Sequence, residues 1–223
     1  SNFLLLPLLL SFLSSAQIGL WYVFVAISGF AQLLEFGFTS TLSRNILYCL
    51  SGAKKLTKQG CDYSSVDGEV DWHLMRVVLD TSKTIYAVLG LIALFVAATL
   101  GTFYVSYVTD SFLIEGSLPA WIVFVVSIFT NLYFLYCLTF LRGLGDVAGE
   151  NRAKTLARIG QLAITAVLLF CGLSLLAAAL GFLAYSTLLR LFAIRTFRSH
   201  HDVEEGIKSD AAAVAKLSLI HIS

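Results

Sequence analysis

The chain has 223 residues, of which 58% are hydrophobic and only 13% are charged, and its net charge is +1 at pH 7. Soluble globular domains carry about 25% charged residues, so this composition excludes an ordinary soluble domain and indicates a polytopic membrane protein. A nearly neutral chain without a basic patch also excludes nucleic acid as a partner. The four cysteines lack the CxxC or close Cys/His spacing of a metal site, and no disulfide framework is predicted.

Apolar stretches predict an all-α membrane protein with six transmembrane helices, the first of which is truncated. The second helix continues to about Leu50, further than the ~20 residues that a bilayer needs, so we expect it to tilt, project or bend near Gly37. The last two helices share one apolar run, which as a single helix would measure about 58 Å, nearly twice the ~30 Å hydrocarbon core. A turn is therefore predicted at residues 171–174. The predicted spans are residues 3–13, 19–44, 85–107, 119–141, 157–171 and 175–195.

The remaining segments are polar. Residues 51–72 are predicted to form a loop with charges of both signs, and residues 199–216 a cytoplasmic tail or linker. Residues 217–223 resemble a translated sequencing adaptor and are predicted to be foreign to the protein. The helices within residues 1–198 are therefore interpreted as one six-helix lobe of a longer protein.

Basic residues in alternate loops predict the orientation of the chain. The opposite loops contain no Lys or Arg, and their charged residues are Asp110 and Glu115. The positive-inside rule therefore places the basic loops and the tail in the cytoplasm. Trp21 and Trp121 at outer helix ends, with Trp72 at an inner end, are expected to form the aromatic belts. The bases that define the cytoplasmic side are Lys54, Lys55, Lys58, Arg152, Lys154, Arg158, Arg195, Arg198 and Lys208.

A polar stripe is predicted along the second helix, whose other faces are apolar. Its central residue, Glu35, is an acid inside a membrane helix, where a charge costs roughly 2.5–3.5 kcal/mol and usually faces a partner or a wet cavity. Glu35 and Gln32 are therefore candidates for a substrate cavity. The structural alternative is that Gln32, a neighbouring base or water satisfies the carboxylate. At about 100° per residue, the stripe comprises Ser28, Gln32, Glu35, Thr39 and Ser43.

Four further polar residues lie in or near the spans. Ser127, Asn131 and Arg142 share an arc of roughly 60° on the fourth helix. Asn131 is suited either to a sugar hydroxyl or to helix–helix association. Arg142, at an inner helix end, is either a phospholipid contact or a substrate residue. Arg44 lies close to the cytoplasmic interface, where it either snorkels or meets an anionic headgroup.

No motif predicts catalysis. Gly143, Gly145 and Gly149 form a G-x-G-x-x-x-G pattern, but no GK[ST] follows and no strand precedes it, so a phosphate loop is not predicted. The predicted topology brings together no Ser/His/Asp set and no pair of carboxylates. The chain is therefore predicted not to be an enzyme and to need no cofactor or metal. The histidines and acids at the start of the tail are interpreted as solvated; they are His200, His201, Asp202 and Glu204.

The stretch GLWYVFVAISGFAQLLEFGFTSTLSRNI, followed by a lysine-bearing loop and TSKTIYAVLG, resembles the N-terminal half of O-antigen-type polysaccharide flippases. These belong to the multidrug/oligosaccharidyl-lipid/polysaccharide exporter superfamily. The resemblance implies a two-lobed transporter of the bacterial cytoplasmic membrane that flips a lipid-diphosphate-linked oligosaccharide by alternating access. It also implies cavity positions at Glu35, Arg44 and Asn45. The implied partners are that glycolipid, membrane lipids and a C-terminal lobe absent from this chain.

Two other functions remain open. The first is a cation-coupled small-molecule antiporter of the same architecture, in which Glu35 would exchange protons or sodium. The second is a membrane-embedded enzyme or scaffold of glycan assembly, which a set of cytoplasmic catalytic residues would favour. The flippase is the preferred prediction, since a flipped headgroup needs a polar, partly cationic path through the hydrocarbon core.

Overall fold

The structure is a computed structural model that describes residues 2–53, 56–57, 60–61 and 70–220, with side chains described at 6–53, 56 and 70–211. The predicted cytoplasmic bases Lys54, Lys55 and Lys58 lie outside the described residues. The helices are α1 (Asn2–Phe12), α2 (Ser15–Leu33), α3 (Phe38–Leu50), α4 (Trp72–Val96), α5 (Thr102–Val108), α6 (Ser117–Tyr133), α7 (Leu135–Gly143), α8 (Val147–Phe170), α9 (Ser174–Arg198) and α10 (His201–Ile220).

Two smaller elements complete the secondary structure of the described residues. A π-helical turn, Ala97–Gly101, joins α4 to α5 without interrupting the helical path. Strands β1 (Leu56–Thr57) and β2 (Gly60–Cys61) pair antiparallel inside the loop between α3 and α4. Outside this short pair, the described secondary structure is helical, as the sequence predicts.

Five helical segments of the described chain are long and apolar enough to cross a membrane. The predicted class, an all-α multi-pass membrane protein, agrees with this set. The predicted number of six is not confirmed, because α1 has only 11 residues in the structure. The turn predicted at residues 171–174 lies where α8 ends and α9 begins. The five segments are Ser15–Leu33, Trp72–Val108, Ser117–Gly143, Val147–Phe170 and Ser174–Arg198.

The second predicted span, residues 19–44, is interrupted. α2 ends at Leu33 and α3 begins at Phe38, with Gly37 in the left-handed region at φ 80°. The backbone N–H groups of residues 34–36 bond to carbonyls three residues earlier, which tightens the helix before it stops. Glycine adopts positive φ without steric cost, so the break falls where the sequence suggested a bend. The predicted span 19–44 is therefore made of two helices, and the polar stripe is divided between α2 and α3.

The described residues form two compact units, within residues 1–36, 86–135 and 152–192 and within residues 37–85, 136–151 and 193–223. The first unit has an aromatic core around α6. Phe124 lies 4.9 Å from Phe24 of α2 and 5.1 Å from Phe182 of α9, between ring centroids. Trp21 and Trp121 belong to the same core and are only 7% and 2% exposed. Their indoles are therefore buried in protein, whereas the sequence predicted belt residues.

The second unit has a separate core. Ile46, Met75 and Phe140, from α3, α4 and α7, are each at most 4% exposed. Helix α10 packs on this core through Val203 and Ile207. The start of the predicted tail or linker therefore forms a docked helix, because apolar residues four apart give it one hydrophobic face.

Candidate functional site

Three of the six predicted cavity residues lie in the first unit. Glu35 is half-buried in the turn that separates α2 from α3. Gln32 is exposed near the end of α2, where its Nε2 donates a hydrogen bond to Ser28 Oγ at 3.5 Å. Asn131 is half-buried on α6, and its Nδ2 donates to the Ser127 carbonyl at 2.8 Å. This last bond lies within one helix, so it does not join α6 to a neighbour.

The other three predicted residues lie in the second unit. Arg44 is exposed and Asn45 is half-buried, both on α3. Arg142 is in the last turn of α7. The arc predicted for Ser127, Asn131 and Arg142 assumed one straight helix, but α6 ends at Tyr133 and α7 begins at Leu135. Ser127 and Asn131 therefore lie on α6 and Arg142 on α7, and the shared arc stays a prediction.

Arg142 forms a two-pronged ion pair with Glu150, a residue that sequence reasoning missed. Arg142 Nε donates to Glu150 Oε2 at 3.0 Å, and Nη2 donates to Oε1 at 2.6 Å. The Glu150 side chain is only 2% exposed, whereas that of Arg142 is 42% exposed. Glu150 occupies the first turn of α8, where the helix dipole also favours a carboxylate.

The chain brings this pair together through a tight connection. Gly145 takes φ 80°, and Asp146 then accepts a hydrogen bond from the Gly149 N–H at 2.7 Å, as a helix N-cap does. Glu150 is not among the residues predicted from the sequence. An acid in the first turn after a capping aspartate was the available signal.

The richest group of polar side chains in the first unit lies on three membrane helices, and we call it the polar cluster. On α8, Arg158, Gln161 and Thr165 are spaced three and four apart and share one face. The Arg158 guanidinium carbon lies 3.9 Å from the ring centroid of Tyr185, and its Nη1 donates to Gln161 Oε1 at 2.8 Å. The cluster comprises Ser127, Thr130 and Asn131 of α6, Arg158, Gln161 and Thr165 of α8, and Tyr185, Ser186 and Arg190 of α9.

The cluster continues from α9 to α6. The hydroxyls of Ser186 and Thr130 are 2.9 Å apart, and the Arg190 guanidinium carbon lies 4.9 Å from the Phe134 ring centroid. Gln161, Thr165 and Ser186 are each at most 1% exposed. The Arg158 side chain is half-buried and that of Arg190 is exposed, and both lie beside buried hydroxyl and amide groups on helices that are otherwise apolar.

Only Asn131 in this cluster was among the predicted cavity residues. Arg158 lies at the very start of the predicted span 157–171 and counts among the predicted cytoplasmic bases, whereas α8 begins ten residues before that span, at Val147. Arg190 stands in the apolar run YSTLLRLFAI, and a base in such a run is by itself a signal of function. Arginine binds phosphate through its fork of N–H donors, and hydroxyl and amide groups suit sugars, so the cluster has the chemistry of an anionic glycan site.

The described residues line at least two cavities. One, in the first unit, has a volume of about 510 Å³ and runs between α2 and the segment from α4 to α5. The other, in the second unit, has about 150 Å³ and includes Lys83 and Tyr136 among mainly apolar residues. Neither cavity is lined by any of the six predicted residues.

Comparison with known proteins found no family model, curated protein or solved structure that matches the chain. Function is therefore inferred from the polar cluster, the membrane-spanning helices and the resemblance described above.

Proposed function

We propose that the chain is the N-terminal lobe of a transporter that flips a lipid-diphosphate-linked oligosaccharide across the bacterial cytoplasmic membrane. The observation that carries the proposal is the polar cluster, in which Arg158 and Arg190 lie within helices apolar enough to span a membrane. Charged residues are costly there and mark substrate pathways. The flippase-like stretch from Gly19 to Ile46 is a second, independent support.

Arg158 is positioned for such a role by its neighbours. The ring of Tyr185 lies beneath its guanidinium and the buried Gln161 amide accepts one of its N–H groups. A side chain already held in one geometry loses less entropy when it binds phosphate. In an alternating-access cycle the opposing lobe would close over this cluster and reopen on the other side of the membrane.

The proposal is tested by glycan export in cells that depend on the parent two-lobed protein. Arg158→Gln and Arg190→Gln should each reduce surface glycan about tenfold or more, since a hydrogen bond to a charged group contributes roughly 1.5–3 kcal/mol. Arg195→Gln is the matched control, because Arg195 is, like Arg190, an exposed arginine of α9 but lies outside the cluster. Export at the level of the unmodified protein in the Arg158/Arg190 double variant would exclude the proposed role.

A cation-coupled antiporter is the second candidate, and one observation favours it. Glu35 is a half-buried acid at a break between two helices, where a carboxylate can exchange a proton as the backbone moves. In that case Glu35→Gln should abolish the pH dependence of small-molecule export. A flippase would instead lose export of the glycolipid.

The proposed orientation places the turn between α8 and α9 outside the cell, and Cys171 in this turn is exposed. Cys49 and Cys137 are buried. Burial, and secondarily the charge of Asp71, raises the pKa of the Cys49 thiol to about 11, so it stays protonated and unreactive at neutral pH. In a Cys61→Ser chain, an impermeant maleimide added to intact cells should therefore label one site.

Cys171→Ser is the control for that experiment, and it should remove the label. Labelling of Cys171 only after the membrane is permeabilised would reverse the proposed orientation. Cys61 is replaced beforehand because it lies in the loop between α3 and α4, on the opposite side of the proposed topology.

A further inference from the structure

The larger cavity is a groove with two matching sides. Six residues of α2 and six of the segment from α4 to α5 line it, at positions i, i+3, i+4, i+7, i+8 and i+11, where i is Val23 on one side and Ala93 on the other. Each side is therefore a single helical stripe. At 1.5 Å per residue each stripe is about 16 Å long, which is close to half of the ~30 Å hydrocarbon core, or one leaflet.

The groove stays open because its second side packs elsewhere. A side chain on Gly101 would meet the Trp121 ring at 3.0 Å, and the Trp121 indole N–H donates to Thr102 Oγ1 at 2.9 Å. The π turn and α5 are thus held against α6. Ala93 and Ala97 are buried at the floor of the groove, whereas Phe30 and Leu100 are 72% and 68% exposed at its rim.

The two ends of the groove differ. Gln17 Nε2 donates to the Glu115 carbonyl at 3.2 Å, so the start of α2 lies beside the loop that follows α5. Val23 and Tyr104 therefore lie at the same end of the groove. The Tyr104 hydroxyl is the one polar side-chain group among the twelve lining residues, and tyrosines favour the headgroup level of a membrane.

The size and chemistry of the groove select its occupant. The groove has a volume of about 510 Å³ and a lining that is apolar except for Tyr104. A stable protein interface takes about 20–30 residues from each partner, whereas the groove offers twelve in all. An internal water needs two to four polar partners, which this lining does not supply.

We propose that the groove is a binding site for one acyl chain of a phospholipid, with the headgroup beside Tyr104. The chain enters from the leaflet that Tyr104 faces and ends near Ala93. This site goes beyond the transport proposal, because it binds a membrane lipid irrespective of the cargo.

The test uses Trp121 as a reporter in the full chain with Trp21→Phe and Trp72→Phe. Trp121 is 2% exposed and lies directly behind Gly101, so surrounding lipid is shielded from it while a chain in the groove is not. Phosphatidylcholine brominated on its acyl chain should quench Trp121 fluorescence. Ala26→Phe, which fills the groove from an exposed position, should raise the half-quenching mole fraction about tenfold.

Ala98→Phe is the matched control. Ala98 is exposed on the segment from α4 to α5, which forms the second side of the groove, but it does not line the groove. It should leave quenching unchanged, and thermal unfolding should show that both variants are folded. If Ala26→Phe does not fold, Ala26→Leu replaces it with a smaller filling group. Equal quenching in the Ala26→Phe and Ala98→Phe variants would overturn the proposal. So would cross-linking that detects a dimer of the unmodified chain and only a monomer of the Ala26→Phe variant, because a second copy of the chain would then occupy the groove.

Discussion

Arg142→Met is expected to lower the free energy of unfolding by roughly 3–5 kcal/mol, because it removes both hydrogen bonds that Arg142 donates to a buried carboxylate. Glu150 is only 2% exposed and both of its oxygens accept hydrogen bonds from Arg142. Unfolding of the detergent-solubilised protein, followed by temperature or denaturant, measures the loss.

A substitution of the other partner in this ion pair provides the control. Glu150→Gln leaves a guanidinium that is already 42% exposed and can be solvated, so the expected cost is only about 1 kcal/mol. Replacing both residues with apolar ones, as in Arg142→Met with Glu150→Leu, should recover most of the loss, because well-packed apolar pairs often equal buried ion pairs. Equal costs for the two single variants would show that the pair is not asymmetrically buried.

Gly181→Ala is expected to destabilise the protein by about 1–3 kcal/mol, since the added methyl group would overlap Thr165 Oγ1 in the contact between α8 and α9. Thr165 is fully buried, and its Oγ1 has no hydrogen-bond partner among the described residues. Thr165→Ala removes that oxygen and should therefore rescue Gly181→Ala. Thermal unfolding of the two single variants and the double variant measures the coupling.

Gly29→Ala is the matched control for this substitution. Gly29 is also in a membrane helix, but nothing lies within 4 Å of the position that its side chain would occupy. Alanine is the better helix former by about 0.5–1 kcal/mol, so this variant should be neutral or stabilised. Similar losses in the two glycine variants would mean that the contact with Thr165 is not the cause.

Several features were readable from residues alone. The apolar runs predicted membrane helices, and Gly37 marked the place where the second one breaks, because left-handed backbone favours glycine. The turn at residues 171–174 followed from the length of the run, since one helix would exceed the bilayer. These are local or one-dimensional properties, and a single sequence carries them.

The helix faces were harder to predict. In a membrane, lipid-facing and protein-facing residues are both apolar, so hydrophobic periodicity does not say which face packs. For this reason Trp121, expected at the interface, is a core residue beside Thr102. The same ambiguity hid the groove, whose lining has the spacing of an ordinary packed helix.

The amino-acid sequence by itself determined that this is a helical membrane protein and where its main turn lies. Only the tertiary structure decided which polar groups meet. Arg142 donates hydrogen bonds to Glu150 across the turn at Gly145, and the Arg158 guanidinium lies over the ring of Tyr185 on the next helix. The physical reason is that a polar side chain among apolar helices needs a polar partner nearby. Which partner lies within hydrogen-bond distance is set by how the helices pack and not by spacing along the chain.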